Sequence, residues 1–217
     1  MMTKQDQYDR RYWDKQAYRY DKRALNKNSP HYKAYLQHVI NTVEDGARLV
    51  DLGCGTGLIC HAVSDKIKTG TGIDISSGMI SMARAKQTQD KGKNLEFIKG
   101  DIYHSGLENH TADNTLLCNI LEYSQYPEIL LLESKRITRP NGLVITATNC
   151  YGSLRDIRGI FRSIRIFVAR TFKMIPYVRF YTFKNLRRML ETSGMVIIAE
   201  KKLKHMGTVV LYAVLKT

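Results

Sequence analysis

A glycine-rich loop near residue 50 is the first place where residue types and spacing suggest chemistry. Leu49, Val50 and Leu52 lead into glycines at positions 53, 55 and 57, and an apolar segment typical of a helix begins at Leu58. A buried strand, a glycine turn and a helix bring bare backbone against a nucleotide-like ligand. The dinucleotide fingerprint has its third glycine at the sixth position, where this chain has Leu58. Asp51 would repel a pyrophosphate and suits a ligand that carries an ammonium group.

Two further acidic residues follow predicted strands in the same order along the chain. Asp74 lies near the end of a strand predicted at 71–75, 21 residues after Gly53. A carboxylate at this spacing is suited to accept hydrogen bonds from ribose hydroxyls. Asp101 follows a strand predicted at 95–99, and we expect it to accept from an adenine amino group while Ile102 packs on the ring.

These motifs together resemble the class I S-adenosylmethionine-dependent methyltransferases over residues 45–150. The resemblance rests on the glycine loop, Asp74, Asp101 and the turn at 139–142 before the fifth strand. It implies an enzyme that uses S-adenosylmethionine and releases S-adenosylhomocysteine. The cofactor-binding residues that we predict on this basis are Asp51, Gly53, Cys54, Gly55, Gly57, Asp74, Ile75, Asp101, Ile102, Asn119 and Tyr20. We interpret Cys54 as a small residue beside the ligand rather than a nucleophile.

The end of the fourth predicted strand is expected to lie at the reacting centre. It lacks the Asn/Asp-Pro-Pro-aromatic sequence of enzymes that methylate base amines or glutamine amides, and Tyr123 stands where many similar small-molecule methyltransferases have histidine. We therefore predict that Tyr123 and Glu122 contact the methyl acceptor, with capping of the next helix as the alternative for Glu122. We interpret the scattered histidines as surface or structural residues rather than bases, with His104, just after Asp101, as the exception. The cysteines lack metal-site spacing, so no metal is expected.

The predicted fold class is α/β, a Rossmann-like seven-stranded and mostly parallel sheet with a C-terminal antiparallel hairpin and helices on both faces. The resemblance implies that the seventh strand lies between the fifth and the sixth. We expect a single methyltransferase domain over 1–217, divided into cap helices (1–45), a cofactor-binding core (46–150), a basic amphipathic lid (151–182), and a C-terminal helix and hairpin (183–217). One or two short helices are predicted between Tyr8 and Asn28.

The N-terminal segment 12–21 is similar to the first helix of phospholipid N-methyltransferases and quinone-biosynthesis C-methyltransferases. In such enzymes this helix folds over the cofactor, which implies that Tyr20 lines the site; packing in the core is the alternative. Both groups of enzymes act on lipidic substrates.

A net charge of +14 suggests an anionic partner. Residues 155–175 place an apolar stripe opposite arginines, as in interfacial membrane helices. Pro176 follows directly and is expected to end the helix. The residues that we assign to a membrane or substrate lid are Arg155, Arg158, Phe161, Arg162 and Arg165. The alternative is a lid whose apolar face packs on the domain.

The leading hypothesis is a cytoplasmic methyltransferase, peripheral on the inner face of the membrane, that acts on a lipid-like or amphipathic small molecule. An RNA or protein methyltransferase and a non-catalytic S-adenosylmethionine-binding module are the alternatives. Nucleic acid is the less favoured partner because the amine-methylating motif is missing. No signal peptide is expected, since charged residues begin at Lys4.

Overall fold

The computed structural model describes residues 3–25, 30–87, 92–150, 157–172, 174–205 and 208–217. Its strands are β1 (Arg48–Leu52), β2 (Thr69–Asp74), β3 (Leu95–Lys99), β4 (Ala112–Cys118), β5 (Thr138–Cys150), β6 (Val196–His205) and β7 (Thr208–Lys216). They form one sheet in the order β3-β2-β1-β4-β5-β7-β6. The first five strands are parallel, whereas β7 runs antiparallel to β5 and β6. The predicted sheet, with the last strand inserted beside the fifth, is confirmed.

The helices of the described residues are α1 (Lys4–Ala24), α2 (Pro30–Thr42), α3 (Leu58–Val63), α4 (Ser77–Ala85), α5 (Pro127–Ile137), α6 (Ile157–Thr171) and α7 (Phe183–Glu191). The expectation of short helices before residue 28 is wrong in length, because α1 is one helix of 21 residues. Thr3 and Asp6 form a capping box at its start. The helix predicted to begin at Leu58 does so and ends at Val63.

Two apolar cores lie on the two faces of the sheet because side chains alternate along each strand. Leu49 of β1 packs with α2, α3 and α4, while Val50 and Leu52 pack with α5 and α7. Asp51 shares the face of Leu49 and is buried there. The helices therefore cover both faces of the sheet and leave the carboxyl ends of β1, β2, β4 and β5 open to a ligand.

Helix α1 crosses above these strand ends and is fixed by its aspartates. Asp14 Oδ1 accepts from the Ser76 hydroxyl at 2.7 Å and from the Gly78 amide at 2.8 Å. Gly78 has no side chain, and a Cβ there would lie 3.0 Å from the Asp14 carbonyl oxygen. Asp21 accepts from the Thr56 hydroxyl of the glycine loop. These bonds hold α1 against the first turn of α4 and the loop after β1.

The remaining aspartates of α1 bind segments on the opposite side of the open sheet edge. Asp6 Oδ1 accepts from Gln125 Nε2 at 2.8 Å, and Asp9 Oδ1 accepts from the Tyr177 amide at 3.0 Å. Helix α1 thus spans the whole edge and contributes a roof.

Three of the large apolar side chains of α6 that the structure describes face solvent, whereas Ile166 is half-buried. Phe167 is 61% exposed and Phe172, just after the helix, is 73% exposed, and Ile164 and Val168 are exposed as well. Arg165 is exposed, whereas Arg170 donates to the Val178 carbonyl and lies over the Tyr177 ring. Arg155 lies outside the described residues, as do the side chains of Arg158, Phe161 and Arg162. Within the described part of the chain, none of the helices has the length and apolar character needed to span a membrane.

Candidate active site

A cavity of about 450 Å³ lies under α1 at the carboxyl ends of the strands, in the usual size range of small-molecule sites. One side is formed by the glycine loop and the ends of β2 and β3. The other side is formed by the segments after β4 and β5. Its lining residues include the predicted Tyr20, Gly53, Gly55, Asp74, Ile75, Asp101, Ile102, Asn119 and Tyr123.

The glycine loop leaves room for a ligand at Gly55. This residue has φ of +54°, and a Cβ there would meet only the Met79 sulfur, at 4.0 Å. Gly53 and Gly57 have positive φ too, but their added Cβ atoms would lie 2.7 Å from Ile120 and Phe97. Gly53 and Gly57 are therefore required for close packing, and Gly55 for open space beside the cavity.

Asp74 ends β2 beside this loop and is almost fully buried. Its carboxylate accepts from the Gly55 amide at 2.9 Å and the Ser76 amide at 2.8 Å. Burial raises the pKa of Asp74 to about 6, although these backbone bonds favour the ionised form. The carboxylate thus braces the glycine loop and retains lone pairs that suit hydroxyl donors of a ligand.

Asp51 lies deeper, beside a small extension of about 40 Å³ whose lining includes Tyr35, Cys54 and Asn119. Tyr20, Gly53, Gly55 and Asn119 line both spaces, which makes them neighbours. Burial raises the pKa of Asp51 to about 7, and a bond from the Cys60 thiol at 3.5 Å opposes this shift only in part. A cationic group is the natural partner for such a buried carboxyl. Cys54 is buried and its pKa is raised by burial, as expected for a space-filling residue.

Asp101 and Ile102 form the outer rim next to Ile75. Asp101 Oδ1 accepts from the Tyr103 amide at 2.8 Å, and its side chain remains 58% exposed. His104 is 83% exposed and does not line the cavity; its Nδ1 lies 4.0 Å from Asp101. The geometry therefore gives His104 no place beside a reacting group.

The roof contributes Trp13, which the sequence prediction did not assign to the site, next to the predicted Tyr20. Trp13 of α1 lines the cavity and contacts Tyr123 edge to face, with 5.2 Å between ring centroids. Tyr20 lies 6.3 Å from Trp13 in a similar arrangement. The aromatic pattern at 12, 13, 18 and 20 was visible in the sequence, but which of these rings turns inward depends on how α1 docks.

Asn149 lies on the side of the cavity formed by the segments after β4 and β5, and Glu122 lies behind it. Glu122 is fully buried behind the wall and does not line the cavity, nor does it cap α5. Its Oε1 instead accepts from Asn149 Nδ2 at 2.6 Å. Asn149 does line the cavity and was missed in the sequence, where a single asparagine at a strand end carries no distinctive signal. Direct contact between Glu122 and an acceptor is therefore not supported by this geometry.

The fold and the cavity define an α/β domain that binds a nucleoside-like ligand at a strand-end crevice. Residues 50–146 match the family described as a methyltransferase domain. That stretch carries a class I S-adenosylmethionine-dependent methyltransferase domain, whose cofactor is S-adenosylmethionine. The open space at Gly55 and the buried carboxyls of Asp51 and Asp74 fit the ribose and ammonium groups of that cofactor.

Curated relatives match only part of the chain. Malonyl-[acyl-carrier protein] O-methyltransferase of Serratia marcescens is 29% identical over 112 residues, which cover 52% of this chain and 42% of that protein. Ubiquinone biosynthesis O-methyltransferase of Pasteurella multocida is 25% identical over 148 residues, which cover 63% of this chain and 59% of that protein. The chain thus spans about half the length of these relatives.

Solved structures share the fold over nearly the whole chain. A chain in the complex between the Haloferax volcanii Trm112 methyltransferase activator and a methyltransferase has a TM-score of 0.72 at 20% identity, covering 93% of this chain and 96% of that one. Geranyl diphosphate methyltransferase in complex with GPP and sinefungin has a TM-score of 0.68 at 13% identity, covering 91% and 82%. At these identities the likeness concerns the fold.

Proposed function

We propose that this protein transfers the methyl group of S-adenosylmethionine to a lipid-like or amphipathic small molecule at a membrane surface. The observation that carries the proposal is a single cavity whose two sides are lined by different kinds of residues. The donor side has Gly55, Asp74 and Ile75, and the other side has Trp13 and Tyr123. Such a cavity suits a donor and an acceptor bound next to each other, which is the main requirement of a displacement reaction.

The donor's groups can be assigned to residues by their chemistry. Asp74 is the proposed partner of the ribose hydroxyls, and Asp51 of the ammonium group, with Gly53, Gly55 and Gly57 leaving the space between them. Ile75, Asp101 and Ile102 are proposed to enclose the adenine, and Tyr20, Cys54 and Asn119 to bound the methionine end. When bound, S-adenosylmethionine would supply a methyl group on a sulfonium: the acceptor lone pair would form the new bond, the C–S electron pair would stay on sulfur, and a proton carried by the acceptor atom would pass to water.

An apolar chain on the acceptor is supported by the surface next to the cavity. Pro176 lines the cavity and follows the exposed Met174 and α6, whose described apolar side chains include Phe167 and Val168. Exposed apolar side chains beside basic residues such as Arg165 are typical of helices that lie in a membrane interface. We propose that α6 docks on an anionic bilayer and delivers the acceptor to the cavity.

Both parts can be tested separately. Purified protein incubated with methyl-labelled S-adenosylmethionine and with separated lipid, quinone and RNA fractions should transfer label to a lipid or quinone fraction. Vesicles of phosphatidylcholine with and without phosphatidylglycerol should bind the protein only when the anionic lipid is present. A Phe167→Ser/Phe172→Ser variant should lose vesicle binding, while Lys184→Ser, on the exposed surface of α7, should keep it. Label in RNA, or equal binding to neutral vesicles, would contradict the proposal.

The basic net charge alone would also fit an RNA or protein substrate. The lining of the cavity argues against a polyanionic acceptor, because its described charged residues are four carboxylates and two cations, namely Asp6, Asp9, Asp74, Asp101, Arg10 and Lys99.

A further inference from the structure

The wall opposite the donor side is polar but carries no charge. From residue 119 onward, the described residues that line the cavity are all uncharged: Asn119, Ile120, Tyr123, Ser124, Gln125, Asn149 and Pro176. Asn119 is assigned to the donor above, and we call the other six residues the acceptor wall. An anionic acceptor group would meet no cation on this wall. The rest of the described lining carries four carboxylates against the two cations Arg10 and Lys99, so its net charge would repel the anion.

One side chain of the acceptor wall has its orientation fixed from behind. The buried Glu122 Oε1 lies 2.6 Å from Asn149 Nδ2 and 3.4 Å from the Asn149 backbone nitrogen. Burial raises the pKa of Glu122 to about 7, so above that pH Glu122 is a carboxylate. A carboxylate only accepts hydrogen bonds, and the amide nitrogen of Asn149 must therefore face it. Asn119 Oδ1 lies 3.4 Å from Asn149 Nδ2 and accepts its second hydrogen. Both amide hydrogens are therefore engaged.

The oxygen of the same amide has no such partner. Among the described residues, no donor lies within hydrogen-bond distance of Asn149 Oδ1, although the residue lines the cavity. Turning the amide over would place Oδ1 against Glu122 Oε1, and two acceptors at that distance repel each other. Glu122 thus holds Asn149 so that a molecule in the cavity meets an acceptor oxygen.

We propose that Asn149, positioned by Glu122, selects a methyl acceptor whose reacting group is an uncharged hydroxyl or amine and rejects a free carboxylate. A hydroxyl or N–H can donate to Asn149 Oδ1. A carboxylate has no hydrogen to donate and would leave two acceptors facing each other without water, a mismatch that sites built around a hydrogen bond discriminate strongly. The inference rests on the proposed function, since it assigns the acceptor side of the same cavity.

Trp13 provides a direct readout of this side of the cavity. It is the single tryptophan of the chain and contacts Tyr123 of the acceptor wall. Tryptophan fluorescence is therefore titrated with 4-octylphenol and with 4-octylbenzoate at pH 8 in the presence of saturating S-adenosylhomocysteine. The two probes share ring and chain and differ in the group tested. The wild-type protein should bind octylphenol at least about tenfold more tightly, the value of one good hydrogen bond.

Variants separate orientation of the amide from general loss of structure. Asn149→Leu and Glu122→Met should each reduce the preference for octylphenol at least about threefold. Glu122→Gln keeps a carbonyl oxygen for Asn149 Nδ2 and should retain the preference. Glu133→Met is the matched control, because Glu133 is a buried, hydrogen-bonded glutamate of α5 that does not line the cavity.

Affinity for S-adenosylhomocysteine, measured by calorimetry on every variant, separates failure of the proposed function from failure of the proposed selection. A wild-type protein that does not bind it would overturn the proposed function itself. Normal binding of S-adenosylhomocysteine together with equal or tighter binding of octylbenzoate would overturn only the selection by Asn149. That selection would also be overturned if neither probe binds, or if the preference is unchanged in both Asn149→Leu and Glu122→Met.

Discussion

Replacing Asp51 by asparagine should stabilise the protein without its cofactor and weaken cofactor binding at the same time. The raised pKa of Asp51, about 7 against an ordinary 3.8, means that its ionised form is disfavoured by burial. At about 1.4 kcal/mol per pKa unit, the difference corresponds to roughly 4 kcal/mol. Asparagine keeps an oxygen that can accept from the Cys60 thiol and removes the charge.

The sign of the stability effect follows from the direction of the shift. A carboxyl whose pKa is higher in the folded state contributes no penalty below about pH 4 and costs stability as the pH rises to about 7. Asp51→Asn should therefore exceed the wild type in free energy of unfolding by about 1.5 kcal/mol at pH 5 and about 4 kcal/mol at pH 8. Urea unfolding at the two pH values measures this difference. Asp45→Asn is the control, since the Asp45 side chain is 87% exposed.

Cofactor binding should change in the opposite direction. If Asp51 holds the ammonium group, losing that charged hydrogen bond should weaken binding of S-adenosylhomocysteine by about 10- to 100-fold, as measured by calorimetry. In the wild type, the affinity for S-adenosylhomocysteine should rise between pH 6.5 and 8, because Asp51 releases a proton when the ligand binds. This pH dependence should vanish in Asp51→Asn. Below that pH range Asp74 also titrates. An unchanged affinity, or a stability gain equal at pH 5 and pH 8, would contradict this role of Asp51.

Three further variants test the roof, the glycine loop and a distant ion pair. Gly55→Val should abolish binding of S-adenosylhomocysteine in calorimetry because the side chain would fill the cavity. Gly106→Val, also at positive φ but outside the cavity, should bind it normally. Both substitutions should lower the free energy of unfolding by about 1–2 kcal/mol. Asp14→Ala should increase hydrogen exchange in α1 and lower stability by about 2 kcal/mol through two lost bonds, while the exposed Lys15→Ala should do neither. Asp113→Ala should lower stability at pH 7 but not cofactor affinity. Because Arg48 and Arg139 hold the pKa of Asp113 well below its usual range, the difference from wild type in urea unfolding should be full at neutral pH and shrink progressively as the pH falls below about 4.

The donor side of the cavity could be read from the sequence because it is built locally. Asp51, Gly55 and Asp74 each lie within a few residues of a strand end, and an apolar strand followed by a polar turn fixes their place in a parallel sheet. The place of β7 between β5 and β6 followed from the resemblance and is confirmed. Among the secondary-structure elements, the bounds of several helices and strands and the length of α1 differed from prediction.

The acceptor side could not be read in the same way because it depends on contacts between distant segments. Trp13 reaches Tyr123 across more than a hundred residues, and Asn149 is oriented by Glu122 from another strand end. Glu122 itself was predicted to contact the acceptor, since the sequence places it next to Tyr123. The turn 121–123 directs these adjacent side chains differently, with Tyr123 lining the cavity and Glu122 buried behind the wall.

The position of β7 between β5 and β6 imposes an order on folding during synthesis. A ribosome delivers β6 before β7, yet in the described structure β6 pairs only with β7. Until residues 208–216 emerge, the inner edge of β5 is an unpaired strand that other chains can join, a hazard for aggregation. Asn149 pairs with Val210 across this edge. The donor half of the cavity can therefore form early, whereas the acceptor half becomes rigid only when the final strand is in place.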